Sequence, residues 1–235
     1  MLYNFCYLFI IFFVYAFIGY ISEVITISIL EKKLVLSRGF LIGPYIPIFG
    51  LGGVFMTLFL NRYSNDIVVL FITSMCACLL IEYLCSLFLE KLFNLRWWDY
   101  SYMKFNLDGR ICLENGILFG LAGVLVIKVL YPFLSYILHS IPNNTVIIIG
   151  LILSIIFFTD IIISYSITFK LKKSLDNYSK KDVTEDIKKL IRAELKKKRF
   201  FVNRLIKSFP NAAKWYYSKL NIKEVINKFS GYKKK

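Results

Sequence analysis

The chain has 235 residues, of which 57% are hydrophobic, with a mean hydropathy of +0.61 and a formal net charge of +15. A soluble domain is only about 45–50% apolar, and the excess here is concentrated in runs such as 5–21 and 146–156. Because runs of about 18–25 apolar residues cross a hydrocarbon core of about 30 Å, the composition excludes an ordinary soluble protein and predicts an integral membrane protein.

The hydrophobic pattern predicts an all-α fold, a polytopic transmembrane helical bundle that occupies residues 1–170. Residues 1–30 carry no Lys or Arg, and their apolar run is too long for a secretory signal. We therefore interpret them as a retained first span. Five spans are predicted in chain order, at residues 4–30, 40–60, 66–90, 112–138 and 145–169.

The short loops indicate the orientation, because Lys and Arg accumulate on the cytoplasmic side of membrane proteins. Residues 31–39 and 91–111 together hold seven Lys and Arg side chains, whereas the alternate loops hold Arg62 alone. Five spans then place the N-terminus outside and the C-terminus in the cytoplasm. We expect a multi-pass protein of the cell membrane.

The second predicted span begins with an unusual Gly-rich and Pro-rich string, residues 38–53. Pro44 and Pro47 interrupt regular helical hydrogen bonding, and Tyr45 lies between them. Irregular backbone at membrane depth persists only where it is buried in protein or lines water. The string therefore favours a lined site that includes Tyr45, and the alternative is close helix packing by small residues.

The loop between the third and fourth spans, residues 91–111, contains more polar side chains than membrane anchoring requires. Trp97 and Trp98 at a span end are typical of interfacial anchors. The loop also holds several charged and amide side chains within fifteen residues, which favours a re-entrant or lid-like segment. These side chains are Arg96, Asp99, Asn106, Asp108 and Arg110.

Carboxylates and arginines meet at the predicted cytoplasmic ends of the spans. Glu23 and Glu82 each lie roughly 10 Å inside, at 1.5 Å per residue, and charges at such depth usually face protein or water. We expect Glu23, Glu82 and Glu114 to converge with at least one arginine around one cytoplasm-facing pocket. A polar cavity for an ion, a metabolite or a lipid headgroup is one interpretation, and a structural network of ion pairs is the other. The arginines concerned are Arg38, Arg96 and Arg110.

Residues 171–235 form the second region, a basic tail without a span. Of the 30 Lys and Arg, 21 lie from Lys170 onward, and Asp182 and Glu185 are spaced as a capping box for an amphipathic helix. We predict a cytoplasmic tail whose amphipathic helices bind anionic lipid on the inner leaflet. Docking onto a partner protein is the alternative, and nucleic acid is not the expected partner.

The sequence carries few signs of cofactor or metal chemistry. The five cysteines lie in or beside apolar runs and are interpreted as packing residues, and His139 is the one histidine. The glycines of 50–53 are not followed by the Lys-Ser/Thr of a P-loop. We therefore expect no cofactor, no metal site and no ATPase activity of the chain itself.

Three strings resemble the CmpB-type family of type IV ABC transporters. Residues 38–50 match its pattern Arg-Gly-Phe-Leu-x-Gly-Pro-Tyr-x-Pro-Ile-x-Gly, and residues 82–90 match Glu-Tyr-x-x-Ser-x-x-x-Glu. The third string has two parts: residues 96–101 match Arg-Trp-Trp-Asp-Tyr-Ser, and residues 105–111 match the Phe-Asn-x-x-Gly-Arg-Ile that follows it. The resemblance covers about 15–125 in this sequence and implies a role in transport without naming a substrate.

The leading hypothesis is a transport-associated membrane subunit with a polar Glu/Arg site in the cytoplasmic half of the membrane. ATP hydrolysis would need a separate ATP-binding subunit, and the small number of spans predicts a homo-oligomer. One alternative is a membrane-embedded enzyme acting on a lipid or isoprenoid headgroup, with Glu23 and Glu82 as acid and base. The other is a structural or signalling partner of membrane proteins. The candidate substrate-binding residues are Glu23, Arg38, Tyr45, Glu82, Arg96, Asp99, Asn106, Arg110 and Glu114.

Overall fold

The computed structural model describes residues 1–30, 32, 34–36, 39, 41–93 and 96–179. Over these residues the secondary structure is helical apart from one short antiparallel hairpin, which confirms the predicted all-α class. The helices are α1 (Leu2–Leu30), α2 (Pro47–Phe55), α3 (Ile67–Phe93), α4 (Leu113–Leu125), α5 (Tyr131–Ser140) and α6 (Asn143–Ser179), and the strands are β1 (Asn106–Leu107) and β2 (Ile111–Cys112).

Four helical stretches of the described chain are long and apolar enough to cross a membrane. They are Leu2–Ile29, Ile67–Leu92, Leu113–Ser140 and Asn143–Phe169, and they match the first, third, fourth and fifth predicted spans. The third stretch joins α4 to α5 through a π-helical turn, Val126–Leu130. The chain is therefore a multi-pass membrane protein.

The predicted second span differs from a regular membrane helix. Residues 41–46 are irregular, and helix α2 begins only at Pro47, whose missing N–H is tolerated at a helix start. The helical path then continues through the π-helical turn Met56–Leu60 and a 3₁₀ turn ending at Tyr63. Its helical part is shorter than the four spans because the Gly-Pro-Tyr-x-Pro string cannot continue an α-helix towards its N-terminus.

Glycines set the closest approaches between neighbouring helices. The ring of Phe12 on α1 lies against Gly50 of α2, and the ring of Phe71 on α3 lies against Gly120 of α4. A side-chain carbon at Gly123 would collide with Ser74 of α3. Small residues at such positions let helices pack closely where no hydrophobic effect drives them together.

The helices define two ends of the bundle. At one end, the Tyr7 hydroxyl donates to Ser135 Oγ at 3.1 Å, so the start of α1 meets the end of α5. At the same end, Asp66 caps α3 by accepting the backbone N–H groups of Val68 and Val69, each at 3.0 Å. The opposite end carries the irregular segment before α2 and the hairpin between α3 and α4, and we call it the hairpin end.

The predicted boundary at residue 170 falls within a continuous helix, because α6 runs on to Ser179. The amphipathic helices predicted after that point, including the capping box at Asp182 and Glu185, lie outside the described residues.

Substitution of Gly123 by Ile should destabilise the bundle, because the added side chain meets Ser74 across the α3–α4 interface. Overpacking of this kind typically costs about 1–3 kcal/mol. The matched control is Ala122→Ile, since Ala122 is the exposed neighbour on the same helix. Thermal unfolding in detergent should show a lower midpoint for Gly123→Ile alone, and equal midpoints for the two variants would contradict the described interface.

Candidate functional site

A buried carboxylate on α6 holds the irregular segment that precedes α2. Asp160 accepts the backbone N–H groups of Ile42 at 2.9 Å and Gly43 at 2.7 Å. It also accepts the hydroxyls of Tyr45 at 2.6 Å and Ser164 at 2.8 Å. Non-helical backbone at membrane depth has to be satisfied by protein or water, and here Asp160 provides the acceptors. The hydrogen bonds of Asp160 therefore hold the irregular segment before α2 in place.

One face of α3 carries three polar side chains, Glu82, Ser86 and Glu90, which we call the polar ladder. Their four-residue spacing places them one above another on the helix. All three lie within the membrane-length stretch Ile67–Leu92. At 1.5 Å per residue, Glu82 lies about 15 Å along the helix from Leu92. Polar groups at this depth need partners within the protein.

The loop of residues 96–112 folds back along α3 and provides those partners. Arg110 Nη1 lies 2.8 Å from Glu90 Oε2 and donates to Ser86 Oγ at 3.1 Å. Arg96 Nε lies 3.6 Å from the same Glu90 oxygen. Two arginines of the loop therefore share one carboxylate of the ladder, and Arg110 spans two successive turns of the helix.

The deepest position of the ladder has a different environment. Glu82 is 5% exposed, and its Oε1 accepts the Tyr100 hydroxyl at 3.2 Å. Within the described chain its Oε2 is buried without a hydrogen-bond partner, and no ion pair reaches the carboxyl group. Burial raises the pKa of Tyr100 above its usual range, so the phenol remains a proton donor.

A tight turn gives the loop its shape. Asp108 and Gly109 have φ angles of +54° and +64°, and Arg110 donates its backbone N–H to Leu107 at 2.9 Å. Two positive φ angles inside such a turn define type I′, which suits Asp-Gly and connects antiparallel strands. The indole of Trp98 donates to the Arg110 carbonyl at 2.9 Å. The turn and the tryptophan together orient Arg110 towards α3.

Two further polar residues of the loop, Asp99 and Asn106, stabilise the loop itself. Asp99 accepts the backbone N–H of Ser101 at 3.0 Å and lies 3.7 Å from Arg96 Nη1. Burial alone would raise the pKa of Asp99, but the bonds from Ser101 and the charge of Arg96 lower it overall. Asn106 donates to the Met103 carbonyl at 2.7 Å and accepts the Gly109 N–H at 3.0 Å.

The structure brings only part of the predicted site together. Tyr45 lies with Asp160, and Glu114 is exposed in the first turn of α4, where it forms no ion pair with another described residue. Glu23 is half-buried on α1, and Arg38 lies outside the described residues. The predicted residues that meet at the polar ladder and its loop are Glu82, Arg96, Asp99, Asn106 and Arg110.

Four residues that form the contacts described above were not among the predicted site residues. They are Ser86, Glu90, Tyr100 and Asp160. The four-residue spacing from Glu82 to Glu90 was a usable signal, because it places these residues on one helical face. No local pattern connects Asp160 to the segment before α2, since 115 residues separate Asp160 from Tyr45.

Comparison with known protein families gives a match over most of the chain. The model of the family described as "Putative ABC-transporter type IV" matches residues 10–165, which include the polar ladder, its loop and Asp160. No curated protein and no solved structure matches the chain.

Substitution of Gly109 by Ala should open the hairpin loop. Gly109 has a positive φ, and an added side-chain carbon would meet Ser101 Oγ and lie 3.2 Å from Arg96 Nη1. Cys112, which is 1% exposed beside the turn, reports the opening. Peptide mapping after treatment with a water-soluble maleimide should show faster labelling of Cys112 in the variant.

The control for this experiment is Gly52→Ala. Gly52 lies in a regular helix, and an added carbon would be 3.5 Å from Cys78 Sγ, which is ordinary contact. Labelling of Cys112 should be unchanged in this variant. Unchanged labelling in Gly109→Ala as well would contradict the described turn.

Proposed function

This chain belongs to the family described as "Putative ABC-transporter type IV", and from that premise we propose that it is a transport-associated membrane subunit. Its substrate would be handled by the polar ladder and the loop of residues 96–112. With the orientation expected from the basic loops, this site lies in the cytoplasmic half of the cell membrane. A homo-oligomer would supply the further spans that a complete transporter needs.

The observation that carries this proposal is the path of the loop. It does not simply connect α3 to α4 through water, because Arg110 and Tyr100 contact side chains within the membrane-length part of α3. Charged groups at that depth are expensive and usually mark an ion or substrate pathway or a paired network. A loop that brings Arg110 against Ser86 inside this stretch is suited to covering and uncovering a polar site.

The two halves of the ladder suggest different roles. Glu90 forms ion pairs with Arg96 and Arg110, and these pairs are suited to holding the loop against the helix. Glu82 has no cation among the described residues and retains a free acceptor. We therefore propose that the arginine pairs position the loop and that the substrate is handled beside Glu82 and Tyr100.

The energy source would be a second protein. The sequence contains no P-loop pattern, so ATP hydrolysis by such a transporter requires a separate ATP-binding subunit. The hairpin end is the proposed docking end, because its loops carry the basic excess from which we expect a cytoplasmic location. Lys104 is exposed there and offers a site for a probe.

A photo-reactive amino acid at position 104 should crosslink an ATP-binding polypeptide in native membranes. The captured polypeptide must itself be labelled by a photo-reactive ATP analogue, which identifies its class. The matched control is the same amino acid at position 62, because Arg62 is exposed at the opposite end of the bundle. Capture of an ATP-binding polypeptide from position 62 alone, or from neither position, would contradict the proposed partner and its docking end.

A further inference from the structure

We propose that Glu82 is a proton-binding site, occupied at neutral pH, and that Tyr100 couples this proton to the position of the loop. The protonation of Glu82 does not depend on the proposed function. Only the use of this proton as a coupling ion for transport rests on that function. The ligand is defined by the chemistry around the carboxyl group.

The first argument is the charge balance around Glu82. The carboxyl group is 5% exposed, one oxygen accepts the Tyr100 hydroxyl at 3.2 Å, and the other has no hydrogen-bond partner within the described chain. A buried carboxylate is retained when cations or several donors compensate it, and otherwise the neutral acid is the cheaper form. A proton on the second oxygen neutralises the group without any further partner.

Asp160 provides an internal comparison. It is also buried and also lies within a membrane-length helix, yet it accepts hydrogen bonds from four different donors. That environment stabilises a carboxylate, because several donors point at the charged form. Glu82 has one protein donor on its two oxygens among the described contacts, so the two acids should differ in protonation.

Among the described residues, no group near Glu82 supplies a compensating positive charge. On its own helix, Cys78 and Cys85 are the titratable groups that interact with it. From the loop the interacting group is Tyr100, and Cys112 lies beside that phenol. Arg110 contacts Ser86 and Glu90, which lie nearer the C-terminal end of α3 than Glu82 does. Arg96 contacts Glu90 and Asp99.

The neighbouring helices add no closer titratable group among the described side chains. From α4 the residue near Tyr100 is Asn115, which is uncharged, and Glu114 is exposed. Helix α2 and the π-helical turn after it contain no ionisable side chain. On α6, Asp160 is directed at the segment before α2, and Tyr165 is exposed.

Loop position and protonation of Glu82 are coupled because Tyr100, a loop residue, is the one hydrogen-bond donor to Glu82 among the described contacts. When the loop lies against α3, Tyr100 covers Glu82 and the neutral acid is favoured. When the loop moves away, water reaches the carboxyl group and the proton is released to it as hydronium. Closing the loop again requires a proton to be taken from water. Loop position and proton occupancy are therefore linked.

Infrared spectroscopy of the full-length protein in lipid vesicles tests the proton directly. At neutral pH the wild-type spectrum should contain the carbonyl stretch of a protonated carboxylic acid, and Glu82→Gln should lack the amplitude of one such group. Glu114→Gln is the matched control and should retain it, since Glu114 is exposed. Tyr100→Phe should keep the band and shift it to higher frequency, because one hydrogen bond to the acid is lost. A wild-type band that Glu82→Gln leaves unchanged would overturn the proposal.

The second readout tests the coupling. Glu82→Gln mimics the neutral acid, so the ratio of Cys112 maleimide labelling rates, wild type over variant, should rise several-fold with alkaline pH. Taking the ratio removes the pH dependence of the thiol itself. A ratio that is constant with pH would overturn the coupling. Neither readout depends on transport or on an ATP-binding partner, so loss of the proposed transport function would leave both results interpretable.

Discussion

Polar groups at membrane depth must find their partners within the protein, and this constraint organises the hairpin end of the molecule. Helix α3 carries Ser86 and Glu90 inside an apolar stretch of membrane length. Leaving them towards lipid would cost several kcal/mol per unsatisfied group. Arg110 meets both side chains, and it can do so only because the loop turns back along the helix. The tight turn at Asp108 and Gly109 and the bond from Trp98 are the local structure that this contact requires.

Two buried acids satisfy the same constraint in different ways. Asp160 gathers backbone and hydroxyl donors and thereby fixes the irregular segment before α2, where prolines prevent a helix. Glu82 is covered by a single phenol and keeps one oxygen without a partner in the described chain. The first arrangement is suited to permanent structure. The second is suited to change, because the cost of charging the acid depends on whether the loop of residues 96–112 is closed.

The sequence was sufficient to predict four spans because long apolar runs depend on composition alone. It also indicated irregular backbone around Pro44 and Pro47, although the shortness of the following helix was not predicted. The rotation of each helix about its own axis could not be predicted, and this rotation decides which side chains meet at the site. Gly116 and Gly123 face α3, so Glu114, two residues before Gly116, is turned about 200° away on the helix and is exposed. The pairing of Asp160 with Tyr45 depends on a contact across 115 residues, which no local pattern reveals.

The central claim is that Arg110 anchors the loop to α3 through Glu90. A double-mutant cycle with Arg110→Met, Glu90→Met and both together, followed by the free energy of unfolding in lipid bicelles, measures that contact most directly. For a direct ion pair, the two substitutions should be non-additive by about 0.5–3 kcal/mol. Glu90→Met leaves Arg110 without its carboxylate, whereas after Arg110→Met Glu90 keeps Arg96 at 3.6 Å. The double variant should therefore be more stable than the sum of the single losses implies. Additivity within about 0.3–0.5 kcal/mol would show that the two side chains do not interact, and the folded-back loop would have to be abandoned.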